Sequence, residues 1–155
     1  MHLIKVLVVM VTLGWSGILY ASNNDLKQCV SEAAGSYGLP QILVYSILGV
    51  EGGKVGMEKQ NPDYSYDLGL MQINDGQPWF RVLKGNGITR EALVSDGCVN
   101  IWSGSFILAS EIYQAKDFWR GVGNYHNRRE PHHSGYIQRV KNHWKAILKK
   151  SSNNG

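Results

Sequence analysis

Apolar residues recur along the chain at a helical period in some stretches and at no helical period in others. Leu26, Cys29, Val30 and Ala33 lie at i, i+3, i+4 and i+7, the stripe of a half-buried helix that Asn23 or Asn24 can cap and that Gly35 and Gly38 end. Pro40 suits a first helical position and opens a second helix over Gln41–Glu51, which Gly52-Gly53 closes. From 53 to 87 no helical period holds. That stretch is rich in Gly, Asn, Asp and Pro, and its alternating Tyr64, Tyr66, Leu68 and Leu70 predict a short hairpin or a packed loop. Thr89 then caps a short turn through Val94, and Asp96 caps a helix of about 15 residues containing Val99, Trp102, Phe106, Ala109 and Tyr113. A shorter helix follows over 118–125. The last, over 136–148, carries Ile137, Val140, Trp144 and Ile147 at helical spacing. The pattern predicts a mainly α domain interrupted by one long irregular segment, and segments of that length in compact domains are commonly functional.

Ahead of the first helix, Lys5 supplies a basic start, 6–19 is almost wholly apolar, and Leu19-Tyr20-Ala21 ends on a small residue before Ser22. This is the pattern of a secretory signal peptide cleaved after Ala21. An uncleaved anchor needs about 20 apolar residues, and this run is shorter and holds Gly14, Ser16 and Gly17. The expected organisation is a signal peptide at 1–21, one folded domain at 22–150 and a flexible tail at 151–155, located in the periplasm with no integral membrane segment after cleavage. A length of 155 residues accommodates one domain and hardly two. Eight Tyr, five Trp and three Phe exclude a disordered tail protein. In an oxidising compartment Cys29 and Cys98 read as a disulfide, with free thiols or metal ligands as the alternatives, and no Cys/His spacing suits zinc. The formal net charge is +4, and after residue 119 eight Lys/Arg face the single acid Glu130. Such a face is commonly just solvated, although it also attracts an anionic wall polymer or phospholipid surface; export argues against a nucleic-acid partner.

One residue breaks the apolar logic. Val44, Ile47, Leu48 and Glu51 share one helical stripe, so a carboxyl group falls on the core-facing side, in the last turn, where the helix dipole is negative. Desolvation and the dipole both push its pKa up, and a raised Glu can hold a proton near neutral pH and then donate it. The alternative is that Glu51 reaches solvent or pairs with an arginine. Asp63, Asp67 and Asp75 are the candidate second carboxylates, with Asp67 read as a turn-stabilising structural residue.

Three segments around this residue carry a family resemblance: Val50-Glu51-Gly52-Gly53; Tyr66-Asp67-Leu68-Gly69-Leu70-Met71-Gln72-Ile73-Asn74; and Gly123-Asn124-Tyr125-His126-Asn127. In order and separation they resemble the three motifs of the soluble lytic transglycosylase (SLT) domain, over about residues 26–140, and specifically its small exported members that accompany conjugation and type III or type IV secretion systems. The Gly-Leu-Met-Gln-Ile-Asn run is the most specific piece. The resemblance implies a lysozyme-like α+β fold in which the long segment forms one wall of a substrate groove. It implies cleavage of the β-1,4 bond between N-acetylmuramic acid and N-acetylglucosamine in peptidoglycan, with 1,6-anhydro ends. It makes Glu51 the sole catalytic acid/base and puts Tyr125 beside it, orienting the carboxyl or its proton. It assigns substrate contacts to Gly69, Leu70, Met71, Gln72, Asn74, Asn124 and Asn127. It pairs Cys29 with Cys98, involves no metal or cofactor, and names as partners the glycan strands and components of a secretion or conjugation machine. One carboxyl suffices for such chemistry, because the substrate's own hydroxyl is a nucleophile of high effective molarity, whereas ordinary glycosidases need two.

The chain departs from the family pattern in two places. Gly52 stands where many members have Ser, and the third motif reads Asn124-Tyr125-His126 before Asn127 where Ala-Tyr-Asn is common, which leaves the amide role with Asn127 or altered by His126. Two other functions fit the same residues: a muramidase-type hydrolase, and a non-catalytic peptidoglycan-binding assembly factor. Met71 and Ile73 read equally well as core. Trp79, Phe80, Trp102 and Trp119 read as sugar platforms or as packing, and His126, His132, His133 and His143 form a loose cluster without metal-ligand spacing.

Overall fold

A computed structural model describes residues 23–153, so the expected signal peptide at 1–21 lies outside the described residues. The order is α1 (Asn23–Tyr37), α2 (Gln41–Glu51), β1 (Glu58–Gln60), β2 (Tyr66–Leu68), β3 (Ile73–Asn74), α3 (Pro78–Gly85), α4 (Arg90–Ser95), α5 (Gly97–Ala115), α6 (Phe118–His126) and α7 (His132–Ser152). This is the mainly helical architecture with a small sheet that was expected. No helix among the described residues is long and apolar enough to cross a membrane.

Local signals account for most helix ends. Thr89 accepts from the Ala92 amide, and Asp96 accepts from the amides of Cys98 and Val99, satisfying donors that the first turns of α4 and α5 leave open. Asp117 does the same for α6. Pro40 is the N-cap of α2 rather than its first helical residue. Gly52 ends α2 in the left-handed region at φ 63°, with its amide returned to the Leu48 carbonyl. A side chain there is strained, which is a local reason for glycine where serine is common among the resembling proteins.

The structure corrects three expectations. The segment 53–87 is not wholly irregular: α3 occupies Pro78–Gly85, and only Leu83 in it is buried, so eight residues leave too few core positions to display a period. The helix opened by Asp96 runs 19 residues rather than about 15, and of its apolar residues Val99, Trp102, Phe106 and Ala109 pack half-buried against the core while Tyr113 is 85% exposed. Its most buried face carries Gly97, Asn100, Ile101, Ser103, Gly104, Ser105, Ile107, Leu108 and Glu111. Small and polar residues hid that face from a hydrophobic count. Third, α7 continues through Ser152 into the segment expected as tail, because no Gly or Pro interrupts it after Gly135.

The small residues have a packing reason. α5 sits at the centre, against α1, α4 and α6, and a Cβ on Gly104 would lie 2.5 Å from the Met71 Sδ. The helix thus admits Met71, which is fully buried. Cys29 on α1 and Cys98 on α5 are disulfide-bonded with their Cα atoms 5.5 Å apart, and a staple over 69 residues contributes roughly 4 kcal/mol in the chain-entropy account. α2 packs on α7, so the end of α2 that carries Glu51 is held by the last helix of the chain.

The sheet sets the opposite wall. Its antiparallel register places Lys59 opposite Asp67 and Asp67 opposite Asn74, while Leu68 pairs with Ile73. Side chains alternate along a strand, so Leu68 and Ile73 enter the core and Lys59, Asp67 and Asn74 share the other face.

Candidate active site

The end of α2, the sheet face, α3, the C-terminal parts of α5 and α6, and Arg139 of α7 enclose a cleft of about 1330 Å³. Glu51 lies in it, facing a sheet wall formed by Lys59, Asp67 and Asn74, with Gln72, Trp79, Asn124, Tyr125 and Asn127 also contributing.

Burial is the main reason that the Glu51 carboxyl is pushed up, from an ordinary 4.5 to about 7. The Tyr136 hydroxyl opposes this by donating a 2.6 Å hydrogen bond to Oε1. The negative charge of Asp67 adds to the upward shift, while Arg139 and Lys59 pull it down. Burial wins, so near neutral pH the group holds a proton in a substantial fraction of molecules. A carboxyl poised close to pH 7, with a hydroxyl fixing its orientation and room for a polymer beside it, is suited to donate a proton and take one back.

The hydroxyl bonded to Glu51 is that of Tyr136, on α7, while Tyr125, expected beside Glu51, lines the same cleft without bonding to it. Tyr125 donates instead to the Met71 carbonyl at 2.8 Å. It still lines the cleft, and its hydroxyl is held well above its usual pKa by burial first and by the Glu51 charge second. That bond clamps the 69–74 segment. Asn100, fully buried, completes that clamp: its Oδ1 accepts from the Met71 amide at 2.7 Å, and its Nδ2 donates to the carbonyls of Leu68 and Leu93 at 2.9 and 2.8 Å.

The remaining expected contacts divide. Gln72, Asn74, Asn124 and Asn127 line the cleft. Met71 does not, because its side chain is in the core, and neither Gly69 nor Leu70 reaches the lining. Gly69 is buried and Leu70 packs toward Gly97. Those residues shape the wall from behind. Asn74 donates to Asp67 at 2.8 Å and to Ser65 at 2.9 Å, and the Gln72 amide donates to the Gly69 carbonyl at 2.8 Å.

Of the candidate second carboxylates, Asp67 faces Glu51 across the cleft from a strand, not from a turn. Asp75 is withdrawn, accepting from the Tyr66 amide and pairing with Arg90. Asp63 is exposed and bonded to Ser65 within the hairpin. The aromatic residues also separate: Trp79 lines the cleft, whereas Trp102 packs on Tyr37, and Trp119 packs on Phe118 and Trp144. His126 stacks on the Tyr136 ring, centroids 4.6 Å apart and nearly parallel; His133 bonds the Arg120 carbonyl; and His143 lies over Gly49.

Glu111 and Tyr136 are site residues that no motif marks. Glu111 is 2% exposed, accepts from Trp79 Nε1 at 2.7 Å and takes both oxygens to Arg128 Nη2 at 2.7 and 2.8 Å. Its signal was available: it lies four residues after Ile107 on the buried face of α5, as Glu51 lies on that of α2. Tyr136 was visible only as the first apolar residue of the last helix, and nothing local marks its hydroxyl.

The chain matches no protein-family profile. It is 31% identical over 133 residues to the invasion protein IagB of Salmonella typhimurium, a match covering 84% of this chain and 82% of that protein. The same protein from Salmonella typhi matches equally. The X polypeptide of Escherichia coli is 37% identical over 65 residues, 42% of this chain and 37% of its own length.

Proposed function

Since this chain belongs to the family of the invasion protein IagB, we propose that it acts on peptidoglycan as a lytic transglycosylase. The carrying observation is the Glu51 carboxyl, raised to about 7 and bonded to Tyr136 inside a cleft large enough for a glycan segment. In this reading Glu51 protonates the glycosidic oxygen between N-acetylmuramic acid and N-acetylglucosamine. The resulting carboxylate then removes the proton from the muramoyl C6 hydroxyl, whose oxygen attacks C1 and closes a 1,6-anhydro ring. The proton returns to Glu51, so no net acid or base is consumed. Tyr136 holds Oε1 throughout, Gln72 offers an amide to the sugar on one wall, where Asn74 holds Asp67 in place, and Asn124 and Asn127 offer theirs on the other. The motif resemblance and the apolar leader support export, and the proposed role is a local opening of the wall for a secretion or conjugation apparatus.

Asp67 favours a second reading. It stands on the cleft face within electrostatic reach of Glu51, where a hydrolase would keep its other carboxylate. Mass spectrometry of sacculi digested with the protein separates the two, anhydro ends indicating the lyase and reducing ends the hydrolase. Glu51→Gln keeps the shape and removes the titrating proton, so release of muropeptides is expected to fall by about 10²–10⁴. Unchanged release from that variant removes Glu51 as the acid, whereas a wild-type chain that binds sacculi and releases nothing is a wall-binding assembly factor.

A further inference from the structure

A smaller concavity of about 230 Å³ lies beside the cleft, lined by Gln114, Ala115, Arg120, Asn124 and Arg128. Gln114, Asn124 and Arg128 belong to both linings, so the two spaces share a wall. The volume is below the roughly 300 Å³ at which pockets begin to enclose a drug-sized ligand, so it suits a side group of a polymer and not another sugar. Its lining carries two guanidiniums, two amides and no carboxylate.

The two arginines are electrostatically different. Arg128 is paired through Nη2 with the buried Glu111, which Trp79 in turn holds; its charge is balanced and its guanidinium oriented, while 60% of its side chain remains exposed. Arg120 is exposed, and among the described residues only its backbone atoms have hydrogen-bond partners, Asp117 and His133. One unbalanced positive charge thus stands in a recess beside a second, pre-oriented fork of N–H donors. Such an arrangement fits a carboxylate.

We propose that this recess is an anion subsite that receives a carboxylate of the peptide stem borne by the muramoyl sugar. The inference rests on peptidoglycan being the polymer in the cleft. The glycan backbone is built of uncharged N-acetylated rings, whereas the stem peptides carry carboxylates and branch from the strand, and the recess shares a wall with the cleft. The protein would therefore distinguish stem-bearing strands from bare ones.

The test is binding of the full chain carrying Glu51→Gln, so that strands are not consumed, to intact sacculi and to glycan strands stripped of stems by an amidase. The measured quantity is the ratio of the two affinities. Adding Arg120→Gln is expected to reduce that ratio about fivefold, the upper range for an exposed ion pair, with Arg120→Lys retaining part of the preference and salt shrinking it in the parent. A ratio unaltered by Arg120→Gln overturns the subsite. Failure of the wild-type chain to release muropeptides would instead count against the enzyme reading, since the binding ratio is read without turnover.

Discussion

Replacing Glu51 with Gln has a consequence for folding stability that needs no substrate to measure. The amide is isosteric and its oxygen can still accept from the Tyr136 hydroxyl, so the change removes one titrating proton and little else. In the wild-type protein the folded-state pKa is raised from 4.5 to about 7, which means that the folded state binds this proton more tightly than the unfolded chain does. Stability linked to Glu51 is therefore fully present below about pH 4.5, declines as pH rises, and is lost once pH passes about 7. At 1.36 kcal/mol per pKa unit the full shift corresponds to about 3 kcal/mol. Water reaching the cleft reduces this, and about 1–3 kcal/mol is the expected range. For a domain of this size that is a difference of roughly 3–10 °C in melting temperature. Calorimetric scans of both proteins from pH 4 to pH 8.5 should give coincident midpoints at the acid end, with the variant progressively more stable through the window and a constant advantage above it. A difference that stays flat across pH 4–8.5 refutes a perturbed Glu51, and the acid-donor reading falls with it.

Tyr136→Phe removes a hydrogen bond that lowers the Glu51 pKa, so the alkaline limb of muropeptide release should move upward from about pH 7. Tyr125→Phe, which frees the Met71 carbonyl instead, should move that limb much less and cost about 1 kcal/mol in denaturant unfolding. Asn100→Ala leaves the Met71 amide and the carbonyls of Leu68 and Leu93 without their partner in the core, and chemical denaturation should show a loss of about 2–4 kcal/mol. Arg128→Ala strips the buried Glu111 carboxylate of its cation; a loss of about 1–2 kcal/mol is expected, largely recovered in the double variant with Glu111→Gln, as thermal melts of the four proteins would show. Ala at both Cys29 and Cys98 should cost about 2–5 kcal/mol relative to the oxidised protein.

Much of the architecture was legible because it depends on short-range signals. The caps at Thr89 and Asp96, the glycine stop after Glu51 and the apolar spacing of α1 and α2 act within a turn or two, and the observed elements begin and end where those signals lie. Where the sequence misled, the cause was also physical. α3 is too short and too exposed to show a period, and the most buried face of α5 intersperses Asn, Ser and Gly among Ile and Leu, with Gly104 admitting Met71. Hydrophobicity marks burial poorly where close approach is what a helix face provides.

The site divides along the same line. Glu51 was identifiable as a carboxyl on a buried stripe at a helix end, and the 69–74 run stood out as a wall element, although its Met71 supports the cleft from the core. Tyr136 reaches Glu51 across 85 residues and Tyr125 reaches Met71 across 54, so no local pattern could assign one tyrosine to the acid and the other to the wall. Periodicity reports which side of its own helix or strand a residue occupies. Which group it meets there depends on how α7 lies on α2, how α6 lies on α5 and how the strands are registered, and those are properties of packing between distant segments. Sequence alone thus established the helices, the disulfide partners' availability and the presence of one misplaced acid. Only the tertiary structure selected the hydroxyl that orients that acid, turned Asp67 toward it and Asp75 away, and brought Glu111 and Arg128 into the same cleft.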